Sequence, residues 1–230
     1  MTPAEILDAL IVWTPYLAVG FVWNIIVSLT AMGIGTPVGI ALALLRNGTR
    51  RRTSKSGSLL TTFARNVPTF VMLFYLAYII PPEFSIFGIS VGVPPWLKAS
   101  LALSFAVAGY VSDNALAAVR HMRRRERAEA LLFLPAWTGY FLIIVMASST
   151  ASVIGVPELL SRTDIVIAAI GEPDVALWFY LYAMCWFFAF SLPMVIVTRL
   201  VSREFHRRAH HEPQPEGLGD IETEIPLTGK

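Results

Sequence analysis

The chain has 230 residues, of which 55% are hydrophobic and only 15% charged, and its mean hydropathy is +0.61. A soluble domain of this length carries about a quarter charged residues, so the composition excludes an ordinary soluble protein. The net charge of +2 says little about nucleic acid, and the single cysteine, Cys185, excludes an internal disulfide. The apolar residues form blocks of about 20, the length that crosses a bilayer, which predicts a multi-pass membrane protein.

Five membrane spans are predicted in chain order. Thr2-Pro3-Ala4-Glu5 is a capping-box pattern with proline at the first helical position, and it predicts an external interfacial helix within residues 1–16. The transmembrane domain covers residues 17–203, with spans at about 17–45, 59–80, 96–119, 130–153 and 175–201. Residues 204–230 are polar, acidic and contain proline and glycine, so they are predicted to be a disordered cytoplasmic tail. The predicted fold class is therefore all-α and integral to the membrane.

The basic residues predict the orientation of the chain. Fourteen of them flank the spans on one side: Arg46, Arg50, Arg51, Arg52, Lys55, Arg120, Arg123, Arg124, Arg125, Arg127, Arg199, Arg203, Arg207 and Arg208. Only Lys98 and Arg162 lie near span ends on the other side. The positive-inside rule then places the N-terminus outside and the C-terminus in the cytoplasm. The sequence shows no internal repeat, and five spans are few for a complete transporter, so a second subunit is expected to complete any path.

The sequence contains no motif for enzymatic chemistry. We therefore predict that the chain is not an enzyme and has no metal site. Asp113, beside Asn114, lies in an otherwise apolar span, where an ionisable group is a functional candidate. Asp113 has a structural alternative, in which it lies near the cytoplasmic end and pairs with a cation. Arg65 opens the second span close to Pro68, and the structural interpretation, in which it reaches the cytoplasmic interface, is favoured.

The segment SSTASVIGVPELL breaks the fourth span. Its hydroxyl side chains can pack against a neighbouring helix or bond freed backbone groups. Gly155 can end the helix, and Pro157 with Glu158 suits the first turn of the next. We expect a tight turn followed by a short re-entrant or interfacial helix on the external side. Such a turn either lines a path or is an ordinary loop, and the residues alone leave both open.

The order of these segments resembles the permease subunits of polar amino-acid ABC importers of the histidine/glutamine type. SVIGVPEL is similar to a fairly specific run after the family's fourth span. FARNVP resembles its Phe-Arg-Gly-Thr-Pro segment, with Arg65 and Pro68 matching and Asn66 and Val67 departing. In ALSFAVAGYVSDNA, Tyr110 and Asp113 match a tyrosine and a usual glutamate, and ALALLRNGTRRR resembles the exit of the first span. The resemblance covers roughly residues 20–203.

The resemblance implies a permease with a type I ABC importer fold in the bacterial cytoplasmic (inner) membrane. It implies a second permease subunit, an external solute-binding protein and a cytoplasmic ATP-binding subunit that uses the ATP, with no cofactor bound by this chain. The implied substrate path comprises Tyr110, Asp113, Asn114, Ser148, Ser149, Thr150 and Ser152. The implied gate and turn residues are Gly155, Pro157 and Glu158.

One segment departs from the family pattern. The cytoplasmic coupling loop between the third and fourth spans is about 20 residues shorter than the resemblance implies, and its characteristic glycine is absent. The predicted contacts to the ATPase are Arg123, Arg124, Arg125, Arg127 and Glu129. Two hypotheses follow: a permease for amino acids or similar small polar solutes, or a degenerate partner that has a structural or regulatory role without coupling. The sequence identifies neither the solute nor whether the pair of permeases is a homodimer.

Overall fold

The computed structural model describes residues 2–48, 51–86, 89–123 and 131–209. Seven α-helices and one hairpin are described: α1 (Pro3–Arg46), α2 (Arg51–Asn66), α3 (Thr69–Ile79), β1 (Glu83–Ile86), β2 (Ile89–Gly92), α4 (Pro95–Arg123), α5 (Phe133–Ala147), α6 (Leu159–Ile170) and α7 (Ala176–Ala209). Two 3-10 segments, Ser148–Ile154 and Pro173–Val175, precede α6 and α7.

The prediction of a multi-pass membrane protein is confirmed. Among the described residues, four helices are long and apolar enough to cross a bilayer, namely those at Pro3–Arg46, Pro95–Met122, Phe133–Ile154 and Pro173–Leu200. Helices α2 and α3 make a fifth span if the bent pair is counted as one. The antiparallel hairpin β1–β2 was not predicted, and it joins α3 to α4.

Helix α1 is continuous over 44 residues, so the predicted interfacial helix and first span form one helix. The predicted capping box is present: the Glu5 amide donates to Thr2 Oγ1 over 3.4 Å, and the Thr2 amide donates to Glu5 Oε2 over 2.8 Å. At 1.5 Å per residue α1 is about 66 Å long, which exceeds the roughly 40–45 Å of a whole bilayer. Helix α1 therefore either tilts strongly or extends beyond the membrane.

The second predicted span is broken in two. Helices α2 and α3 meet at an angle of 95°, and Pro68 stands immediately before α3. Proline cannot donate a backbone hydrogen bond, and it disfavours helical geometry in the residue before it, so the break occurs there. Helix α3 has only 11 residues, about 16 Å, which is half of a bilayer core. The span predicted over residues 59–80 is therefore a bent pair of helices, and its first helix begins earlier than predicted, at Arg51.

The core of the membrane domain is the contact between α1 and α4. Gly35 and Gly39 on α1 face Val107 and Val111 on α4, and a Cβ atom added to either glycine would lie 2.5–2.6 Å from the valine Cβ. Small residues four apart let two helix backbones approach closely. Ser100 Oγ crosses the contact and donates to the Val27 carbonyl over 3.2 Å. This packing fixes the position of α4, which carries Tyr110 and Asp113.

Candidate functional site

Three charged side chains meet between α1, α2 and α4, and we call Arg46, Arg65 and Asp113 the charged cluster. Arg46 Nη1 lies 2.6 Å from Asp113 Oδ1, and Arg65 Nη1 lies 3.3 Å from Asp113 Oδ2. Arg46 Nη1 also donates to Ser112 Oγ over 3.0 Å, and the hydroxyls of Ser112 and Thr61 are 2.9 Å apart. The carboxylate is therefore held by one arginine from each of two other helices.

The spacing of the charges on α4 indicates that the charged cluster lies inside the membrane near one of its faces. On α4, Lys98 and Arg120 are 22 residues apart, or about 33 Å, which matches the roughly 30 Å thickness of a bilayer core. Lys98 Nζ donates to the carbonyls of Ala77 and Ile80 at the end of α3, over 3.2 and 2.7 Å. Asp113 is seven residues from Arg120, so its Cα lies about 10 Å inside that boundary.

The charged cluster has one open side. The side chain of Asp113 is 34% exposed and that of Arg65 is 61% exposed, whereas that of Arg46 is only 19% exposed. Charged groups at this depth are strongly disfavoured against lipid and normally face protein or a water-filled cavity. The open side of the charged cluster is therefore expected to face another protein surface or water.

Tyr110 and Asn114 surround Asp113 on α4. The Tyr110 ring stacks on that of Tyr140 from α5, with centroids 3.8 Å apart, and its hydroxyl donates to the Ala136 carbonyl over 3.1 Å. Asn114 Nδ2 donates to the Tyr110 carbonyl over 2.9 Å. Tyr110 lies one turn from Asp113 and therefore on the same face of α4. The structure thus brings these two predicted path residues together.

The hydroxyl-rich break is a 3-10 turn. Its hydroxyls bond carbonyls three residues earlier: Ser148 to Val145, Ser149 to Met146, Thr150 to Ala147 and Ser152 to Ser149, over 2.7–2.9 Å. These bonds satisfy carbonyls that the ending helix leaves free. Ser148 is fully buried, whereas Ser149, Thr150 and Ser152 are partly exposed. Lining of a path stays a prediction, and only the last three have a surface for it in this chain.

Asn24 and Glu158 hold the start of α6. Asn24 Nδ2 donates to Ser148 Oγ over 2.9 Å and to Glu158 Oε2 over 3.0 Å, and Asn24 Oδ1 accepts from the Leu159 amide over 3.1 Å. Glu158 Oε2 and Oε1 accept from the amides of Leu160 and Ser161 over 3.0 and 2.8 Å. The first three amides of α6 are therefore all bonded. We call Asn24, Ser148 and Glu158 the α6 junction.

The α6 junction is fully buried. Asn24, Ser148 and Glu158 have no exposed surface. Burial raises the pKa of Glu158, and its hydrogen bonds from the Leu160 and Ser161 amides and from Asn24 act in the opposite direction. The sequence analysis missed Asn24, although an amide inside the apolar run FVWNIIVS is itself a signal of a buried polar partner.

The predicted site residues form two groups. Asn24 in the α6 junction and Arg46 in the charged cluster lie 22 residues apart on α1, which is about 33 Å. The two groups are therefore near opposite ends of the membrane-crossing part. Of the predicted ATPase contacts, Arg123 ends α4, and Arg124, Arg125, Arg127 and Glu129 lie outside the described residues. Within the described ranges, no three His, Cys, Asp or Glu side chains are grouped as a metal site.

Gly155 takes the turn between the 3-10 segment and α6. Its φ of +86° and ψ of +22° lie in the left-handed region, and its amide bonds the Ser152 carbonyl over 2.9 Å. Pro157 follows, and its carbonyl accepts from Arg162 Nε over 2.9 Å.

We expect Gly155→Val to lower the free energy of unfolding by about 1–3 kcal/mol, because a β-branched residue is strained at positive φ. Gly155→Asn should lower the free energy of unfolding by less, since asparagine tolerates the left-handed region. Melting temperatures of the purified protein in detergent test the order. Equal melting temperatures for the two variants would contradict the strained turn.

The comparisons with known proteins agree with this architecture. No family model matches the sequence. The chain is 28% identical over 136 residues to the probable amino-acid ABC transporter permease protein y4tG of Sinorhizobium fredii, covering 58% of this chain and 56% of that protein. It is 25% identical over 172 residues to the probable amino-acid ABC transporter permease protein YckA of Bacillus subtilis, covering 66% of this chain and 74% of that protein.

A solved structure decides the fold. The crystal structure of an amino acid ABC transporter with histidines superposes with a TM-score of 0.71 and 19% identity, covering 85% of this chain and 96% of that chain. The chain is thus similar in sequence to two probable amino-acid ABC transporter permeases and shares its fold with a chain of an amino acid ABC transporter. Both relatives are named as transporter permeases, which are transport subunits and not enzymes, and this agrees with the prediction that the chain is not an enzyme. The chain aligns with little more than half of the length of the first relative.

Proposed function

We propose that the chain is a permease subunit of an ABC importer for amino acids or similar small polar solutes. It forms half of the translocation path in the bacterial inner membrane. A second permease subunit forms the other half, an external solute-binding protein delivers the solute, and a cytoplasmic ATP-binding subunit uses the ATP. The observation that supports this most strongly is the fold, shared over 85% of the chain with a chain of an amino acid ABC transporter.

The charged cluster supports a path in the membrane domain. Its open side, with Arg65 61% exposed, requires water or protein at membrane depth. A path between two permeases supplies both. The partly exposed hydroxyls Ser149, Thr150 and Ser152 are proposed to line the external part of the same path, with the turn at Gly155, Pro157 and Glu158 beside it.

We propose that the N-terminus is external and the C-terminus cytoplasmic, as the basic residues indicate. In a Cys185→Ser background, Glu172→Cys should react with a membrane-impermeant maleimide added outside intact cells. Lys55→Cys should react only after the cells are opened. Both positions are exposed in the structure, so lack of access by burial does not explain a failure. Labelling of Lys55→Cys in intact cells would contradict this orientation.

A second candidate function is a partner that does not couple to ATP hydrolysis. It is favoured by the short connection between α4, which ends at Arg123, and α5, which begins at Phe133. Only nine residues separate the two helices, a short segment for docking to an ATPase, so this contact would fall on the other permease.

Purification of the complex from native membranes tests the proposed function. We expect an ATP-binding subunit and a second permease to co-elute with the tagged chain, and deletion of the chain to abolish uptake of at least one amino acid. If the chain elutes without an ATP-binding subunit and its deletion changes no uptake, the proposal is wrong.

A further inference from the structure

We propose that Arg65 and Asp113 bind the two backbone charges of the amino acid in transit, Arg65 the α-carboxylate and Asp113 the α-ammonium group. This inference rests on the proposed function and adds the groups that recognise the solute. An amino acid presents a carboxylate and an ammonium group a few bonds apart. Arg65 and Asp113 present the complementary charges 3.3 Å apart on one open surface.

The two arginines of the charged cluster are not equivalent. Arg46 binds Asp113 at 2.6 Å, also bonds Ser112, and is only 19% exposed. Arg65 binds the same carboxylate at 3.3 Å and is 61% exposed. Arg46 therefore anchors Asp113, and the longer, wetter contact with Arg65 is the one that a solute can open. Exposed pairs of this kind contribute little stability.

The Arg65 guanidinium can bind a second group in addition to Asp113. Among the described residues, it makes one ion pair, through Nη1. Its guanidinium carries five N–H donors in a planar fork that matches a carboxylate. When the solute enters, its carboxylate takes the place of Asp113 on Arg65. The Asp113 oxygen released by Arg65 then accepts from the ammonium group, while Arg46 keeps the other oxygen.

Contacts with α4 hold the backbone of α2 in position at Arg65. A Cβ atom added to Gly109 on α4 would lie 3.0 Å from the Arg65 amide nitrogen, so the two helices touch at this point. Thr61, one turn earlier on α2, bonds Ser112. The guanidinium therefore extends from a rigid base beside Asp113. Tyr110 lies one turn from Asp113 on α4, and its ring stacks on that of Tyr140 from α5, which adds an uncharged aromatic surface beside the pair.

The alternative is that the Arg65–Asp113 pair only holds α2 against α4. Loss of uptake in a variant does not separate the two roles, because a loosened helix also stops transport. Discrimination between an amino acid and its uncharged derivative separates them. A structural pair has no contact with the solute carboxylate and leaves that preference unchanged.

The experiment measures binding to the complex with its ATP-binding subunit in nanodiscs, without the solute-binding protein. Radiolabelled standard L-amino acids are screened, and the bound one is competed with its unlabelled form, its α-carboxamide and its decarboxylated amine. For the wild type we expect both derivatives to compete roughly 10- to 100-fold more weakly than the amino acid, as for loss of a charged hydrogen-bonding partner.

In Arg65→Gln we expect amino-acid binding to weaken by a similar factor and the carboxamide to compete about as well as the amino acid. Arg65→Lys, which keeps the charge and loses the fork, should retain part of the preference. Arg203→Gln on α7, an exposed arginine outside the charged cluster, is the matched control and should bind as the wild type does.

Two results would overturn the inference: a wild type that binds the carboxamide as tightly as the amino acid, or an Arg65→Gln protein that keeps the preference for the carboxylate. The wild-type comparison stands even if Arg65→Gln fails to fold. A wild type that takes up amino acids but shows no binding in nanodiscs also overturns the inference and leaves the proposed function intact. Absence of uptake by the assembled system counts against the proposed function itself.

Discussion

Gly35→Val is expected to prevent accumulation of folded protein, with a loss of roughly 3 kcal/mol or more in the free energy of unfolding. A Cβ atom at position 35 would lie 2.5 Å from Val107 Cβ and 2.7 Å from the Ser104 carbonyl oxygen. The oxygen belongs to the backbone of α4, so the clash is relieved only by moving the helices apart. That movement would also displace Tyr110 and Asp113.

Gly33→Val is the matched control for this prediction. Gly33 lies two residues earlier on the same helix, and a Cβ atom there meets nothing within 4 Å. Both variants change glycine to valine inside α1, so helix propensity affects them alike. The level of protein in the membrane and its melting temperature in detergent measure the difference. If both variants show the same decrease in protein level and melting temperature, the close contact between α1 and α4 is not the reason that position 35 requires glycine.

Glu158→Ala is the second variant with a large expected effect. It removes the acceptor of three donors: Asn24 Nδ2, which is buried, and the amides of Leu160 and Ser161, which are partly buried. Unpaired buried donors are costly, and a lost helix cap adds to the penalty, so we expect a decrease of roughly 3 kcal/mol in the free energy of unfolding. Helix α6 should detach from α1, which would expose the 3-10 turn to protease.

Glu172→Ala is the control for the cap. Glu172 also precedes a helical segment, Pro173–Val175, but it is exposed and its side chain makes no cap bond. Glu158→Gln keeps one acceptor oxygen and should be intermediate. Melting temperatures and limited proteolysis are the measurements, and a Glu158→Ala protein as stable as Glu172→Ala would show that the α6 junction contributes little.

The sequence predicted the elements that depend on local signals. Apolar length predicted the spans around α4, α5 and α7, because about 20 apolar residues are needed wherever a helix crosses lipid. Glycine followed by proline and glutamate predicted the turn at Gly155 and the start of α6 close to Glu158, since those residue types have strong backbone preferences. Asp113 and Arg65 were also identified from the sequence, because charged residues inside apolar spans are costly and therefore rare.

The elements that depend on distant contacts were not predicted. Pro68 indicated a bend, but only tertiary packing makes it a 95° break with α2 beginning at Arg51. The structural alternative for Asp113, pairing with a cation, named no partner, and Arg46 and Arg65 supply it from 67 and 48 residues away along the chain. Asn24 is polar but isolated in the sequence, and its role appears only when α6 packs beside α1.

ATP-driven uptake in proteoliposomes tests the central claim most directly. The complete set of this chain, its second permease and the ATP-binding subunit is reconstituted, with the solute-binding protein and radiolabelled amino acids outside the vesicles and ATP enclosed. We expect at least one amino acid to accumulate in the vesicles only when ATP and this chain are both present. Accumulation that is equal without this chain, or none in the fully assembled system, would contradict the claim that the chain forms half of an amino-acid path.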